Sequence, residues 1–171
     1  MDPRINSLLE RRSIRSFKKE MPKKEEIDAV IEVGLYAASA RNLQESIILC
    51  VTDEENREFF RKANAAILGA PDNDPFYGAP VILVVLGPKH NHNRVYDGSL
   101  VIGNMMQAAY DLGLGSCWIH RAREEFETEE FRDFLKAQGV EGEYEGIGHC
   151  ILGYPDAEHP LPKPRKEDRV F

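Results

Sequence analysis

Three arginines and a hydroxyl lie together near the start of the chain, in the run Arg11-Arg12-Ser13-Ile14-Arg15. Guanidinium groups suit phosphate oxygens because their rigid planar donors make paired, charge-assisted hydrogen bonds. The positive charge is local, since the whole chain has 22 Lys and Arg against 29 Asp and Glu, a net charge of -7. The run therefore indicates a site for one small anionic ligand. The competing interpretation is a solvated helix end, where cations are favoured near the last carbonyls.

A second stretch offers groups for a flat heterocycle. The small residues Ala37-Ala38-Ser39-Ala40 would let a ligand or another helix approach the backbone closely, and Arg41-Asn42-Leu43-Gln44 follows with two carboxamides. Carboxamides both donate and accept hydrogen bonds at the edge of a ring. The aromatic pair Phe76-Tyr77 stands in a loop-like stretch, where it either lines a pocket or packs beneath the next strand.

Other chemistries have less support. The HxH pair in 89–93 has no Cys, Asp or Glu at ligand spacing, which favours a solvated loop over a metal site. Cys50, Cys117 and Cys150 are widely spaced among apolar neighbours, which predicts reduced core thiols. The sequence has no GxGxxG, GxxxxGK[ST], GxSxG or HExxH motif and no convincing Ser-His-Asp set. We therefore expect neither a metal nor a catalytic acid, base or nucleophile of the protein's own.

Length and composition are those of one compact domain over residues 1–171, with 42% hydrophobic residues. The acidic balance argues against nucleic acid as a partner, because that binding depends on many Lys and Arg contacts to phosphates. The longest strongly apolar run, Ala79 to Gly87, is far shorter than the roughly 20 residues of a membrane-spanning helix. The N-terminus lacks the apolar segment of a signal peptide. The sequence predicts a soluble, cytoplasmic protein without a membrane partner.

The elements that must position these residues alternate along the chain. Apolar residues at helical spacing predict helices over 4–12, 23–40, 53–68, 95–112 and 125–138. Short apolar runs predict strands, buried on both faces, over 46–52, 80–87, 116–119 and 146–153. This order favours an α/β sandwich whose sheet is covered on both faces. The tail from 154 to 171 is either disordered or a proline-stiffened segment that presents Lys163 and Arg165 at a fixed place.

Assembled in order, these pieces resemble the nitroreductase family of FMN-dependent oxidoreductases. The resemblance spans nearly the whole chain and rests on five stretches, namely 11–17, 38–44, 74–80, 113–119, and 153–155 followed by 161–165. It implies a three-layer α-β-α nitroreductase-like sandwich around a mostly antiparallel or mixed sheet. It also implies a homodimer with FMN at the interface and a C-terminal tail that extends across the dimer.

The resemblance implies roles for individual residues. The implied cofactor-binding set is Arg11, Arg12, Ser13, Arg15, Ser39, Asn42, Gln44, Ile119, His120, Arg121, Lys163 and Arg165. Within it, Arg11, Ser13, Lys163 and Arg165 would hold the flavin phosphate and ribityl chain, and Arg15 would reach the pyrimidine side of the ring. Ser39, Asn42 and Gln44 would contact the same FMN from the other protomer. The backbone of 119–122 would pass the N5 and O4 edge of the flavin.

The implied activity is a ping-pong reaction in which NADH or NADPH reduces FMN, which then reduces a nitroaromatic, a quinone or another conjugated electrophile. Two alternatives are an FMN-binding carrier or sensor with little turnover and a structural dimer whose arginines are only surface charge. A third is an enzyme of related chemistry on the same scaffold, such as oxidative flavin fragmentation or reductive dehalogenation. His120 is expected to act through its backbone, and His149 is expected to lie in the core or behind the site.

The sequence departs from the family pattern in two places. Glu45-Ser46 stands where the family commonly has Pro-Trp, so the shape of that flavin edge is not implied. The segment between Asp53 and Asp74 is short for the family, which favours an open pocket or an unusual substrate.

Overall fold

The molecule is built around a sheet of four strands. A computed structural model describes residues 2–171 of the chain. The strands are β1 (Ile47–Val51), β2 (Val81–Pro88), β3 (Gly115–Ile119) and β4 (Tyr144–Gly153). The helices are α1 (Pro3–Glu10), α2 (Lys24–Leu35), α3 (Glu54–Leu68), α4 (Arg94–Asp111), α5 (Ala122–Phe126) and α6 (Glu129–Ala137), with a 3-10 turn over Ala40–Asn42. The strand order is β1-β2-β4-β3, and each neighbouring pair is antiparallel.

Alternation along the central strand β2 explains the three layers. Successive side chains of a strand point to opposite faces, so 82, 84 and 86 join one apolar cluster and 81, 83 and 85 join the other. The first cluster contains residues of α3, α5 and α6, and the second contains residues of α2 and α4. The predicted three-layer α-β-α sandwich is therefore confirmed, with an antiparallel sheet.

The helix predicted over 125–138 is two helices. Thr128 separates them, because its hydroxyl donates to the carbonyl of Glu125 at 2.7 Å and also accepts from the N–H of Phe131. A threonine that satisfies the free N–H at a helix start is a typical N-cap. The first of the two helices also begins earlier than predicted, at Ala122.

One further boundary and the burial of the edge strand differ from the prediction. Helix α2 ends at Leu35 rather than residue 40, and the N–H of Ala40 donates to the carboxylate of Asp97 instead of to a helical carbonyl. Strand β1 lies at the edge of the sheet, so most of it is half-buried rather than covered on both faces. Cys50 in this edge strand is exposed, which corrects the prediction of a core thiol, whereas Cys117 and Cys150 are buried.

Two glycines let chain segments lie directly against the sheet. A Cβ at Gly115 would come within 2.9 Å of the side chain of Ile14, and a Cβ at Gly146 would overlap the carbonyl group of Ala122. The first close approach seats the segment after α1 beside β3, and the second seats the start of α5 on β4. No helix in the part of the chain that the structure describes is long and apolar enough to cross a membrane.

Candidate functional site

The arginine run lies along the start of β3. Ser13 forms a parallel bridge with Ser116, and the N–H of Ile14 donates to the carbonyl of Ser116 at 2.9 Å. Arg11 and Arg12 are half-buried, and Nη1 of Arg11 and Nη2 of Arg12 are buried without a hydrogen-bond partner among residues 2–171. Buried donors without partners are uncommon and require an explanation. This burial does not fit the interpretation of the run as a solvated helix end.

Arg15 shares a pocket with the stretch that follows β3. The pocket has a volume of about 280 Å³ and is lined by Arg15, Leu68, Pro75, Tyr77, Trp118, Ile119, His120 and Arg121. Four of these residues, Arg15, Ile119, His120 and Arg121, belong to the predicted cofactor-binding set. Folding thus brings Arg15 together with residues that lie more than 100 positions later in the sequence. Nε1 of Trp118 is a further buried donor without a partner in the described chain.

The two aromatics before β2 have different environments. Phe76 is 2% exposed and packs in the core, with its ring centroid 5.1 Å from that of His149. Tyr77 is 43% exposed and lines the Arg15 pocket, with a backbone φ of 56°. Each of the two interpretations of this pair is therefore correct for one of its residues.

A buried polar network lies behind the Arg15 pocket. Glu125 and His149 are both 0% exposed, with Oε2 of the glutamate 2.7 Å from Nε2 of the histidine. Asn64, also buried, donates to Oε1 of Glu125 at 2.6 Å and to the carbonyl of His120 at 3.0 Å. Nε of Arg121 donates to Oδ1 of Asn64 at 2.8 Å. His149 lies in the core, as expected.

Sequence reasoning did not identify Asn64 and Glu125 as site residues. Helical spacing could have indicated both, because Asn64 is four residues after the buried Phe60 and Glu125 is three after the buried Ala122. A polar residue on the inward stripe of a helix is expected to have a buried partner.

The stretch from Ser39 to Gln44 forms a second group. The hydroxyl of Ser39 accepts from the N–H of Gln44 at 3.0 Å, and Nε2 of Gln44 donates to Oδ1 of Asn42 at 2.8 Å. Arg41, Asn42 and Gln44 have positive φ values of 54°, 56° and 56°. Non-glycine residues with positive φ are strained and concentrate at functional sites.

A small cavity beside this stretch contains Ser39 and Gln44 and shares no lining residue with the Arg15 pocket. Its volume is about 190 Å³. Buried Asp97, which also lines this cavity, accepts from the N–H of Ala40 at 2.9 Å and from Nδ2 of Asn91 at 3.2 Å. Sequence reasoning did not identify Asp97 either.

The tail cations are not brought to either group within one chain. Residues 156–171 lie outside the helices and strands, and every one of them is exposed, including Lys163 and Arg165. Glu45 is one of the two residues that depart from the family pattern. Its Oε1 lies 3.0 Å from Nε2 of His90, the first histidine of the HxH pair. Among residues 2–171, no group of three or more His, Cys, Asp or Glu side chains could hold a metal ion.

A cavity of about 600 Å³ lies on α3 and contains no residue of the predicted set. Its lining includes the carboxylates of Glu54, Glu55, Glu58 and Asp74. Nε and Nη2 of Arg61 pair with Glu58 at 2.6 and 2.8 Å, so a cation of this cavity is already used within the protein. An acidic lining is unsuited to a phosphate, because like charges repel.

Comparisons with known proteins identify the family. A model of the nitroreductase family matches residues 8–159. A nitroreductase with bound FMN from Desulfitobacterium hafniense DCB-2 is 24% identical, with a TM-score of 0.88 over 100% of this chain and 98% of that one. A nitroreductase with bound FMN from Bacteroides fragilis NCTC 9343 is 23% identical, with a TM-score of 0.85 over 99% and 96%.

An FMN-dependent nitroreductase from Clostridium difficile R20291 is 26% identical, with a TM-score of 0.75 over 95% of this chain and 92% of that one. No curated protein matches the sequence. The matched residues 8–159 include the arginine run, the Ser39–Gln44 stretch and the whole sheet. The chain therefore belongs to the nitroreductase family.

Proposed function

We propose that this protein is an FMN-dependent oxidoreductase that uses NADH or NADPH to reduce nitroaromatics, quinones or similar conjugated electrophiles. The observation that carries this proposal is the pair of buried guanidinium nitrogens on Arg11 and Arg12 that have no partner among the described residues. A bound phosphate would supply the charged acceptors that these donors lack, because guanidinium groups pair well with phosphate oxygens. FMN carries such a phosphate.

The other residues of the site also fit FMN. Arg15 and residues 119–121 line one pocket, where a cation and peptide groups could meet the polar edge of a flat ring. The relatives from Desulfitobacterium hafniense and Bacteroides fragilis bind FMN. These points support the assignment of Arg11, Arg12, Ser13, Arg15, Ile119, His120 and Arg121 as one half of an FMN site.

FMN, when bound, supplies the two-electron chemistry between the nicotinamide donor and the acceptor. The protein's own groups then bind and orient. A fixed cation at Arg15 favours the negative charge that reduction places on the pyrimidine side of the ring. Arg11 and Ser13, together with Lys163 and Arg165 of the tail, bind the phosphate and ribityl chain. No acid, base or nucleophile of the protein is needed for this reaction.

A homodimer would complete the site. The Ser39–Gln44 stretch and the Arg15 pocket share no residue, so a partner protomer is the natural source of the second half. The helix α1 exposes about half of each of Ile5, Leu8 and Leu9, at 48%, 56% and 53%. Apolar side chains exposed together are typical of an interface. Residues 156–171 are exposed and lie outside the helices and strands, which suits the prediction that the tail extends across the dimer.

The experiment is the visible absorption spectrum of the purified protein, before and after FMN is added, and then after NADH or NADPH is added without oxygen. A flavin band that bleaches with either nucleotide supports the proposal. A colourless protein that does not take up FMN would contradict it. Steady-state oxidation of the nucleotide with a quinone separates an enzyme from the alternative, an FMN carrier or sensor with little turnover.

A further inference from the structure

We infer that Asn64, Glu125 and His149 form a positioning network that fixes the backbone of Ile119–Arg121 and the side chain of Arg121. Each of these three consecutive residues is hydrogen-bonded to the network. Nδ1 of His149 lies 3.2 Å from the carbonyl of Ile119, Nδ2 of Asn64 donates to the carbonyl of His120 at 3.0 Å, and Nε of Arg121 donates to Oδ1 of Asn64 at 2.8 Å. The link to a flavin edge rests on the proposed function, but the network itself does not.

The amide of Asn64 has one orientation that satisfies its neighbours. Its two N–H groups face the carbonyl of His120 and the carboxylate of Glu125, and its oxygen faces Nε of Arg121. The opposite orientation would place N–H groups against the N–H of Arg121 and the amide oxygen against two other oxygens. Because the amide has donors on its nitrogen and an acceptor on its oxygen, only one orientation matches these three partners. Asn64 therefore joins α3 to the turn before α5 in a single arrangement.

Glu125 and His149 can both be buried because they share a proton and carry no net charge as a pair. Both ring nitrogens of His149 face oxygens, the carbonyl of Ile119 and the carboxyl group of Glu125. A neutral ring carries only one N–H and cannot donate to both oxygens. A second proton must therefore lie between Nε2 of His149 and the carboxyl group of Glu125. The pair is then neutral overall, either as imidazolium and carboxylate or as neutral ring and carboxylic acid, and a neutral pair is far less costly to bury than a single charge.

The network explains how a strained residue is held beside the pocket. Arg121 has a φ of 80°, in the left-handed region that a side chain disfavours. The carbonyls of Ile119 and His120 both point to the network. Because a trans peptide places N–H opposite C=O, the N–H groups of His120 and Arg121 point away from it. The network thus sets which peptide groups this stretch presents on its outer side.

The test compares Glu125→Leu with Glu125→Gln. Glutamine preserves the pattern, because its oxygen can accept from Asn64 while its N–H donates to Nε2 of a neutral His149. Leucine leaves Asn64 and His149 without that partner. Phe131→Leu is the matched control, since Phe131 is 1% exposed in the core cluster that contains residues of α5, and its ring packs against other phenylalanine rings.

The first measurement is the rate at which the Nε–H proton of Arg121 exchanges with water. NMR monitors this rate in the full chain without FMN. Glu125→Leu removes the hydrogen bonds of Glu125 to Asn64 and His149, and we expect about tenfold faster exchange in this variant. Glu125→Gln and Phe131→Leu are expected to remain near the wild-type rate. If Glu125→Leu exchanges no faster than Phe131→Leu, the inference is wrong. Asn64→Leu gives the same comparison if Glu125→Leu does not fold.

The second measurement is the dissociation constant of FMN for the same variants. We expect about tenfold weaker binding for Glu125→Leu, with Glu125→Gln and Phe131→Leu within about twofold of wild type. Equal affinity in all four proteins would show that the network does not position the flavin site. If wild type itself binds no FMN, the proposed function fails, while the exchange rate of Arg121 still decides whether the network positions that residue.

Discussion

The carboxylate of Asp97 accepts a hydrogen bond of 2.9 Å from the backbone N–H of Ala40, which is 57 residues away in sequence. This contact joins α4 to the strained stretch from Ser39 to Gln44. Asp97 is only 5% exposed, and its second oxygen accepts from Nδ2 of Asn91. A buried carboxylate with two donors is therefore what holds the carboxamide stretch of the site in place.

Replacing Asp97 should destabilise the protein and loosen this stretch. Asp97→Ala leaves the N–H of Ala40 and the amide of Asn91 without their acceptor, and we expect a loss of about 2–4 kcal/mol in the free energy of unfolding, measured in urea. Asp97→Asn retains an oxygen for Ala40 and should lose less. Equal stability of Asp97→Ala and wild type would show that the contact does not anchor the stretch.

Removing the charge of Arg15 should lower the reduction potential of bound FMN. Without this cation the negative charge of the reduced ring is less favoured, and a decrease of about 30 mV corresponds to about 1.4 kcal/mol for a two-electron couple. The midpoint potential of Arg15→Gln measures this effect. Arg15→Lys keeps the charge and Lys62→Gln removes an exposed one on α3, so both should remain nearer the wild-type potential. A potential unchanged in Arg15→Gln would contradict the assigned role.

The tail cations should matter for FMN and not for folding. Lys163 and Arg165 are exposed and lie outside the helices and strands. The double variant Lys163→Gln/Arg165→Gln should therefore keep the wild-type Tm without FMN and bind FMN about tenfold more weakly at low salt. Lys166→Gln/Arg169→Gln removes the same charge from the same tail and serves as the control. Equal weakening in both would indicate general attraction rather than a phosphate contact.

Gly146 should not tolerate a side chain. The Cβ of Gly146→Ala would overlap the carbonyl group of Ala122, so the start of α5 must shift away from β4. We expect the free energy of unfolding, measured in urea, to decrease by about 1–3 kcal/mol, because backbone in a packed layer cannot move without disturbing its neighbours. Glu143→Ala, at an exposed position on the same segment, should change stability by less than about 0.5 kcal/mol. A stable Gly146→Ala protein would contradict this close packing.

One thiol of the three should react in the native protein. Cys50 is exposed, whereas Cys117 and Cys150 are buried, and burial raises the pKa of Cys150 to about 12. Partial desolvation also raises the pKa of Cys50, so its labelling rate should keep increasing with pH beyond the range of an ordinary thiol. The absorbance change on reaction with a disulfide reagent measures how many thiols react and how their rate depends on pH. Cys50→Ser should abolish the fast reaction, and a fast second thiol would contradict the burial of the other two.

The alternation of helices and strands could be read from the sequence because it depends on local periodicity. The apolar runs of β2 and β4 and the amphipathic stripe of α3 are each specified within a few residues. Boundaries were less well predicted where a single side chain decides them. Thr128 divides one expected helix into α5 and α6, and within the stretch expected to continue α2 the N–H of Ala40 donates to the distant Asp97. Neither contact is visible in a local pattern.

The sequence by itself determined the arginine run, the carboxamide stretch and the family resemblance, because each is a short segment with its own chemistry. Only the tertiary structure decided that Arg15 lies with His120 and Arg121 in one pocket, and that Asn64, Glu125 and His149 form one network behind it. Asn64 and Glu125 are 61 residues apart, and a hydrogen bond across that separation depends on how α3 and α5 pack on the sheet. Packing of that kind is a property of the whole chain, since a shift of either helix by a few ångströms would leave the buried polar groups unpaired.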